Sequence, residues 1–255
     1  MKPFATILSQ PILLKQWPLI DCPHCRTGAL ALEETTVAVY ENPYFNSNEF
    51  YENDGEPESV SGTFAAPLTC AANNCKCITL AFGDFAFQEV PSYDNEPRYE
   101  RKFAVRGFHP PIDVSELAGD VPEAIRAELS RIGALVWNDP RAASTALRAA
   151  VEVLLNEQRV TRSSKTGAPL TLSNRISEFQ KGHPEVTHLL DAVRIVGNAG
   201  THEQSPTSAD NLLRAMEFVE SALDKLYPPP PPLKYATSDH DANILIAADR
   251  QRRKQ

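Results

Sequence analysis

Two kinds of hydrophobic pattern divide the chain. Short apolar runs rich in β-branched residues occupy the first third, whereas apolar residues recur at helical spacing between residues 121 and 227. The strand-like runs are residues 29–32, 35–40, 78–82 and 85–87. Short runs of this composition are typical of β-strands, and a spacing of three and four residues is typical of amphipathic helices. The pattern therefore predicts an α+β protein, with a β subdomain followed by an all-α helical bundle.

Five helices are expected in the second part. Asp120 and Asp139 are candidate N-caps, and Pro122 and Pro140 follow them in the first turns. The predicted buried positions, helix by helix, are Ile125, Leu129, Ile132 and Val136; Ala143, Leu147, Ala150, Val151 and Leu154; Ile176 and Phe179; Leu189, Val193 and Val196; and Leu212, Leu213, Met216, Val219, Ala222, Leu223 and Leu226. These stripes predict one helical core.

Proline and charge place the domain boundaries. We predict a β subdomain over 1–90 with an acidic insert at 41–61, a proline-rich linker over 91–120, the helical bundle over 121–227, and a polyproline spacer with a disordered tail over 228–255. The linker is expected to lack regular pairing because proline removes a backbone donor. Residues 1–20, which hold three prolines, are expected to form an extended arm.

Composition restricts the function. The formal net charge of −8 argues against a surface that binds phosphate backbone throughout. Six acidic residues and no basic residue lie between Glu41 and Glu58, so much of the excess is local. The apolar runs are too short to span a bilayer, and the first residues lack the pattern of a secretory signal. We therefore expect a cytoplasmic protein with no membrane partner.

The cysteines indicate a metal site. Cys22-Pro23-His24-Cys25 is a turn that lets two thiolates hold one metal, and a second cysteine turn follows at Cys70 and Cys75. Both turns lie beside predicted strands, so we predict a zinc-ribbon-like element in which Cys22, Cys25, Cys70 and Cys75 bind a structural zinc. Four thiolates leave no position for a catalytic water. Cys77 is an alternative ligand to Cys75, unmetallated buried thiols are the alternative to a metal, and His24 is expected to point away.

A second candidate site lies near the end of the fourth helix. Asn198 and His202 are four residues apart and Arg194 lies one turn earlier, so a continuous helix places the three side chains on one face. Side chains of these types can bind an anion or a hydroxyl group. The alternative is that Asn198 caps the helix and His202 is a surface histidine.

These residues carry a resemblance. Arg194, Gly197-Asn198 and His202, preceded by a helix with Arg148 and Glu152, resemble the family called domain of unknown function 4145 over about residues 121–227. That family is a module of bacterial proteins, including restriction endonuclease subunits, and its helical core is similar to HEPN domains. HEPN ribonucleases carry an arginine, a polar residue, three variable residues and a histidine in this helix. Here Gly197 stands at the arginine position, and Arg194 lies one helical turn earlier.

Two functions follow from the resemblance. The first is a non-catalytic binding module of a bacterial protein, related to defence or RNA metabolism, with an RNA or a protein as partner. The alternative is a metal-independent ribonuclease in which His202 is the acid or base, Arg194 stabilises the phosphate and Asn198 holds the substrate or the imidazole. Because Gly197 replaces the arginine, we favour binding. An alanine-rich face, Ala142, Ala143, Ala146, Ala149 and Ala150, together with the resemblance, predicts a homodimer through the helical part.

One loop adds a basic patch. Arg159, Arg162 and Lys165 lie between residues 159 and 169, which makes this loop the most basic local segment of the helical part. It is a candidate for phosphate contact, and an ordinary solvated loop is the alternative.

Overall fold

The fold is known from a computed structural model that describes residues 1–46, 50, 55–91, 97–117, 120–202 and 207–228. The side chains of residue 46 and of residues 199–202 lie outside this description. The predicted tail after residue 228 and part of the predicted acidic insert also lie outside the described residues.

The first half of the chain forms an antiparallel sheet, and the second half forms helices, so the predicted α+β class is confirmed. The strands are β1 (Ile20–Asp21), β2 (Ala29–Leu32), β3 (Ala38–Glu41), β4 (Ser61–Cys70), β5 (Ile78–Val90) and β6 (Arg98–His109). Their order in the sheet is β1-β2-β4-β5-β6, and β3 pairs with β4 next to β2. Short 3-10 helices span Leu14–Gln16, Glu34–Thr36, Pro43–Asn46 and Pro57–Ser59.

Alternation along β4 explains which face of the sheet is covered. Phe64, Ala66, Leu68 and Cys70 are buried, whereas the residues between them are less so. A period of two is what a strand with one buried face requires. The two strands predicted at 78–82 and 85–87 are one continuous strand, because Gly83 remains in the ladder where the register between β5 and β6 shifts. A Cβ at Gly83 would lie 2.1 Å from the Ala104 carbonyl oxygen, so only glycine permits this approach.

The predicted linker is wrong in its secondary structure. Residues 98–109 form β6, which pairs with β5 over most of its length. Pro97 and Pro110 lie just outside the strand, so proline bounds the ladder and does not interrupt it. The buried side chains of Phe103 and Val105 alternate along β6 as they do along β4. The division into domains stays a prediction.

The helices are α1 (Pro3–Ile7), α2 (Glu123–Leu135), α3 (Pro140–Glu157), α4 (Leu172–Phe179), α5 (Pro184–His202) and α6 (Ala209–Leu226). Asp139 caps α3 as predicted, because its carboxylate accepts a bond from the Ala142 N–H. Asp120 does not cap α2, whose N-cap is Pro122. Residues 1–20 are not simply extended, since α1 buries Phe4 and Ala5.

One hydrophobic core runs from the sheet into the helices. The Phe108 ring of β6 meets the Trp137 ring after α2 edge to face, with centroids 5.5 Å apart. The Lys2 N–H donates to the Val114 carbonyl at 3.0 Å, which fixes the N-terminal segment to the connection between sheet and helices. No helix in the described ranges is long and apolar enough to cross a membrane.

Candidate metal centre and helical site

Strand pairing brings the two cysteine turns together. Cys22 follows β1 directly, and Cys70 is the last residue of β4. β2 lies between these strands, with Leu30 opposite both Ile20 and Cys70. The turn after β1 and the turn after β4 therefore emerge at the same end of the sheet. Cys25 and Cys75 complete these turns.

The four sulfurs have the spacing of a tetrahedral metal site. The Sγ atoms of Cys22 and Cys75 are 3.8 Å apart, and those of Cys25 and Cys70 are 3.7 Å apart. All four lie within 4.8 Å of one another. A tetrahedral zinc with bonds of about 2.3 Å separates its sulfurs by about 3.8 Å. These four cysteines, the ones singled out from the sequence, thus form a possible metal site.

Backbone conformation explains how each turn presents a sulfur. Arg26 and Lys76, which directly follow Cys25 and Cys75, have φ angles of 58° and 52° in the left-handed region. This conformation turns the next N–H back towards the sulfur, so Thr27 bonds Cys25 and Cys77 bonds Cys75. The Gly28 N–H also donates to Cys25 Sγ at 3.3 Å. Backbone donors of this kind stabilise thiolates.

The pKa of Cys25 is lowered, whereas the pKa values of Cys70 and Cys75 are raised. Hydrogen bonds from Thr27 and Gly28 lower the pKa of Cys25 to about 6. A backbone hydrogen bond from Ala72 opposes the change at Cys70, but burial and the neighbouring sulfurs raise its pKa to about 12. The Cys77 N–H likewise opposes the change at Cys75, where burial and the Cys25 sulfur raise the pKa. The Cys25 thiolate therefore disfavours ionisation of Cys70 and Cys75. A bound cation would favour their ionisation, because it would neutralise the negative charge.

Cys77 and His24 lie outside the group. The Cys77 thiol is directed to the Ile78 carbonyl, 3.8 Å away, and His24 is exposed. Sequence reasoning missed Gly28. A Cβ at Gly28 would lie 2.6 Å from Cys70 Sγ, so a side chain there would displace the sulfur. The available signal was a glycine three residues after a metal-binding turn, where backbone must approach closely.

Two of the three helical candidates form side-chain hydrogen bonds within the described residues. The Arg194 Nε donates to Asp191 at 2.7 Å, one turn back on α5. The Arg148 guanidinium of α3 donates to Asn198 Oδ1 on α5. Gly197 permits this crossing, because a Cβ there would lie 2.6 Å from Arg148 Cγ. The side chain of His202 lies outside the described residues, so the predicted alignment of the three side chains stays a prediction.

Arg148 and Glu152 lie four residues apart on α3, a spacing that allows an ion pair. In the described parts of the chain they form none, and Arg148 instead joins α3 to α5.

An open groove lies on the sheet. Its volume is about 580 Å³, and its lining is Leu13, Leu14, Lys15, Glu34, Val37, Val39, Phe87, Tyr99, Glu100, Arg101 and Phe103. Arg101 pairs with Glu41 at 2.6 Å and lies over the Phe87 ring, 5.1 Å from its centroid. Lys15 pairs with Glu100 at 3.2 Å. The groove is thus lined by both apolar and charged side chains, and Lys15 and Arg101 are each paired with a carboxylate.

Two family models match the chain. The model described as Domain of unknown function (DUF4145) matches residues 130–250, which confirms the resemblance of the helical part. The model described as Domain of unknown function (DUF8608) matches residues 10–111, a range that includes all six strands. Each match spans less than half of the chain, and neither description states an activity. No curated protein and no solved structure matches the chain.

Proposed function

We propose that the protein is a non-catalytic binding module of a bacterial protein, related to defence or RNA metabolism, whose sheet is held by a structural zinc. The observation that carries the zinc is the tetrahedral spacing of the four sulfurs. Four cysteines complete the shell, so the metal would have no open position for a substrate. A cytoplasmic location fits, because no disulfide joins any of the five cysteines.

Contacts on α3 and α5 support binding over catalysis. A ribonuclease would need an arginine directed at substrate, but Arg194 is engaged by Asp191 and Arg148 by Asn198. The groove on the sheet combines apolar and charged side chains, as surfaces that bind a protein segment do. We therefore favour a protein as the partner.

The zinc is tested by elemental analysis of protein purified without added metal. One zinc per chain is expected for the wild type and for Cys77→Ser, and loss of zinc is expected for Cys75→Ser. The two substitutions are chemically identical and two residues apart. Wild-type protein without zinc, or equal zinc in both variants, would reject the site.

Catalysis is tested with single-stranded RNA in the presence of a chelator. We expect no cleavage by the wild type. Cleavage that disappears in His202→Ala would replace the binding function by the alternative, a metal-independent HEPN-like ribonuclease.

The groove is tested with a pair of neighbouring substitutions on β3. Val39 lines the groove, whereas Tyr40 is 63% exposed and does not line it. Partners that copurify from the native host should be lost in Val39→Glu and retained in Tyr40→Glu, with circular dichroism confirming that both variants fold. Retention in both variants would reject the groove as the binding surface.

A further inference from the structure

A buried arginine in the helical part forms no ion pair with any carboxylate that the structure describes. Arg175 on α4 is only 5% exposed. Its Nη2 donates to two neutral acceptors, Asn156 Oδ1 at 2.8 Å and the Val160 carbonyl at 3.2 Å. Its Nε is buried and has no hydrogen-bond partner in the structure. A buried charge without an ionic partner is costly, so an arginine in this state needs an explanation.

A second arginine converges on the same acceptor. The Nε of Arg162 donates to Asn156 Oδ1 at 2.8 Å, so two guanidinium groups share one neutral oxygen. Neither arginine forms an ion pair with any carboxylate that the structure describes. Burial lowers the pKa of Arg175, which the charge of Glu152 partly opposes and that of Arg162 reinforces. The repulsion between the two cations would be relieved by an anion.

Both arginines face a cavity of about 350 Å³ between α3, α4 and the basic loop. Its lining is Ala149, Glu152, Val153, Asn156, Arg162, Leu170, Leu172 and Arg175. Arg162 and Arg175 give the lining two positive charges against the one negative charge of Glu152, and Val153, Leu170 and Leu172 supply apolar side chains. The volume lies within the range of small-molecule sites and exceeds the needs of inorganic phosphate alone.

We infer that this cavity binds a phosphate ester of the nucleotide class. The arginines hold the phosphate, because guanidinium groups bind its oxygens through charge-assisted hydrogen bonds. Glu152 is exposed on the cavity wall and accepts a hydrogen bond from a ligand hydroxyl, as carboxylates do with ribose. The apolar wall packs against the base. The phosphate comes either from a free nucleotide or from one unit of single-stranded RNA. This site is separate from the sheet groove and does not depend on the proposed function.

Three probes test the inference by calorimetric titration of the full chain: inorganic phosphate, adenosine monophosphate and a short single-stranded oligoribonucleotide. Arg162→Gln removes one guanidinium at an exposed position, so the fold should persist. Lys165→Gln is the matched control, because Lys165 carries the same charge in the same loop and does not line the cavity. Loss of one charge-assisted contact should weaken binding about tenfold or more in Arg162→Gln. Lys165→Gln should bind like the wild type.

The outcomes are distinct. Saturable binding of the mononucleotide, stronger than that of inorganic phosphate and weakened only by Arg162→Gln, supports the site with a free nucleotide as ligand. Binding of the oligoribonucleotide alone, with the same dependence on Arg162, supports it with RNA as the source. No saturable binding of any probe overturns the inference. Equal weakening in Arg162→Gln and Lys165→Gln also overturns it, since that result means only general attraction by charge.

Discussion

Four thiols in one place cannot all ionise without a cation. Hydrogen bonds favour the thiolate of Cys25, whereas burial together with the neighbouring sulfurs favours the protonated form of Cys70 and Cys75. Zinc would bind all four sulfurs as thiolates, so binding must release protons.

This protonation predicts how zinc affinity depends on pH. The pKa of Cys25 is about 6 and that of Cys70 is about 12, so at neutral pH Cys25 is a thiolate while Cys70 and Cys75 are thiols. Zinc must displace a proton from each of the latter, so these two ligands alone should lower its affinity about 100-fold for each pH unit lost. Below pH 6 the decrease should steepen, because Cys25 then takes up a proton as well.

The change in the logarithm of zinc affinity with pH is measured by competition with a chromophoric chelator, with a correction for the chelator's own protonation. Cys77→Ser should give the same slope as the wild type, because Cys77 lies outside the group. Release of one proton or fewer on zinc binding would contradict the prediction, because it would mean that Cys70 and Cys75 are not both protonated at neutral pH.

Among single residues, the sequence predicted the four cysteines, Cys75 among them, but left Cys77 open as an alternative to Cys75. Because Cys75 and Cys77 are only two residues apart, either one could lie near the turn that contains Cys22 and Cys25. The choice depends on the left-handed backbone at Lys76, which no propensity rule assigns to lysine. Gly28 was missed for a similar reason, because the need for glycine arises from Cys70, which is distant in sequence.

Helices were predicted better than strands. The stripe of each helix is local, and its periodicity can be found without knowing a partner. Every buried position predicted for α2 and α3 lies in the core. β6, the next strand after β5, was missed because prolines flank it on both sides and favour an irregular linker when the sequence is read alone. The hydrogen bond from Arg148 to Asn198 could not be predicted either, because the two residues lie on different helices.

The crossing of α3 and α5 gives an element-scale prediction. A Cβ at Gly197 would lie 2.6 Å from Arg148 Cγ and 3.2 Å from its Cδ. Gly197→Ala should therefore lower the free energy of unfolding by about 1–2 kcal/mol, because overpacking outweighs the gain in helix propensity. With Arg148→Ala already present, the clash is gone, and Gly197→Ala should instead stabilise the protein by up to about 1 kcal/mol.

Urea denaturation of the two single variants, the double variant and the wild type completes the cycle. An effect of Gly197→Ala with the same sign in both backgrounds would show that Arg148 is not the obstacle.

For the whole molecule, the continuous core couples the sheet to the helices. The Phe108–Trp137 contact and the bond from Lys2 to Val114 join them. We therefore predict that removal of zinc destabilises the entire chain. The loss should be about 3–5 kcal/mol, comparable to that of a disulfide cross-link, and should lower the Tm of a single transition by about 10 °C.

Scanning calorimetry with and without chelator measures this effect, with zinc added back as the control. Two separate transitions, of which only one responds to chelator, would show that sheet and helices unfold independently.

The predicted homodimer would need a surface other than the alanine-rich face of α3. Ala143, Ala146 and Ala150 are buried within this chain's own core, so that face is not available to a second copy. Ile195 on α5 is 55% exposed and remains a candidate contact. We expect a dimer by light scattering for the wild type and a monomer for Ile195→Asp.

Leu19→Asp is the matched control, since Leu19 is 79% exposed but precedes β1 in the sheet. A monomeric wild type, or dissociation by both substitutions, would contradict a dimer through the helical part.

The distribution of the cysteines has a consequence for protein engineering. Cys22 and Cys25 precede the connection between β3 and β4, whereas Cys70 and Cys75 follow it. If the chain were expressed as two polypeptides divided within that connection, each fragment would carry half of a metal site and one strand of the β3–β4 pair. Zinc would then act as the reagent that assembles the two fragments, and a chelator would separate them, which makes this sheet a candidate for a split reporter of zinc.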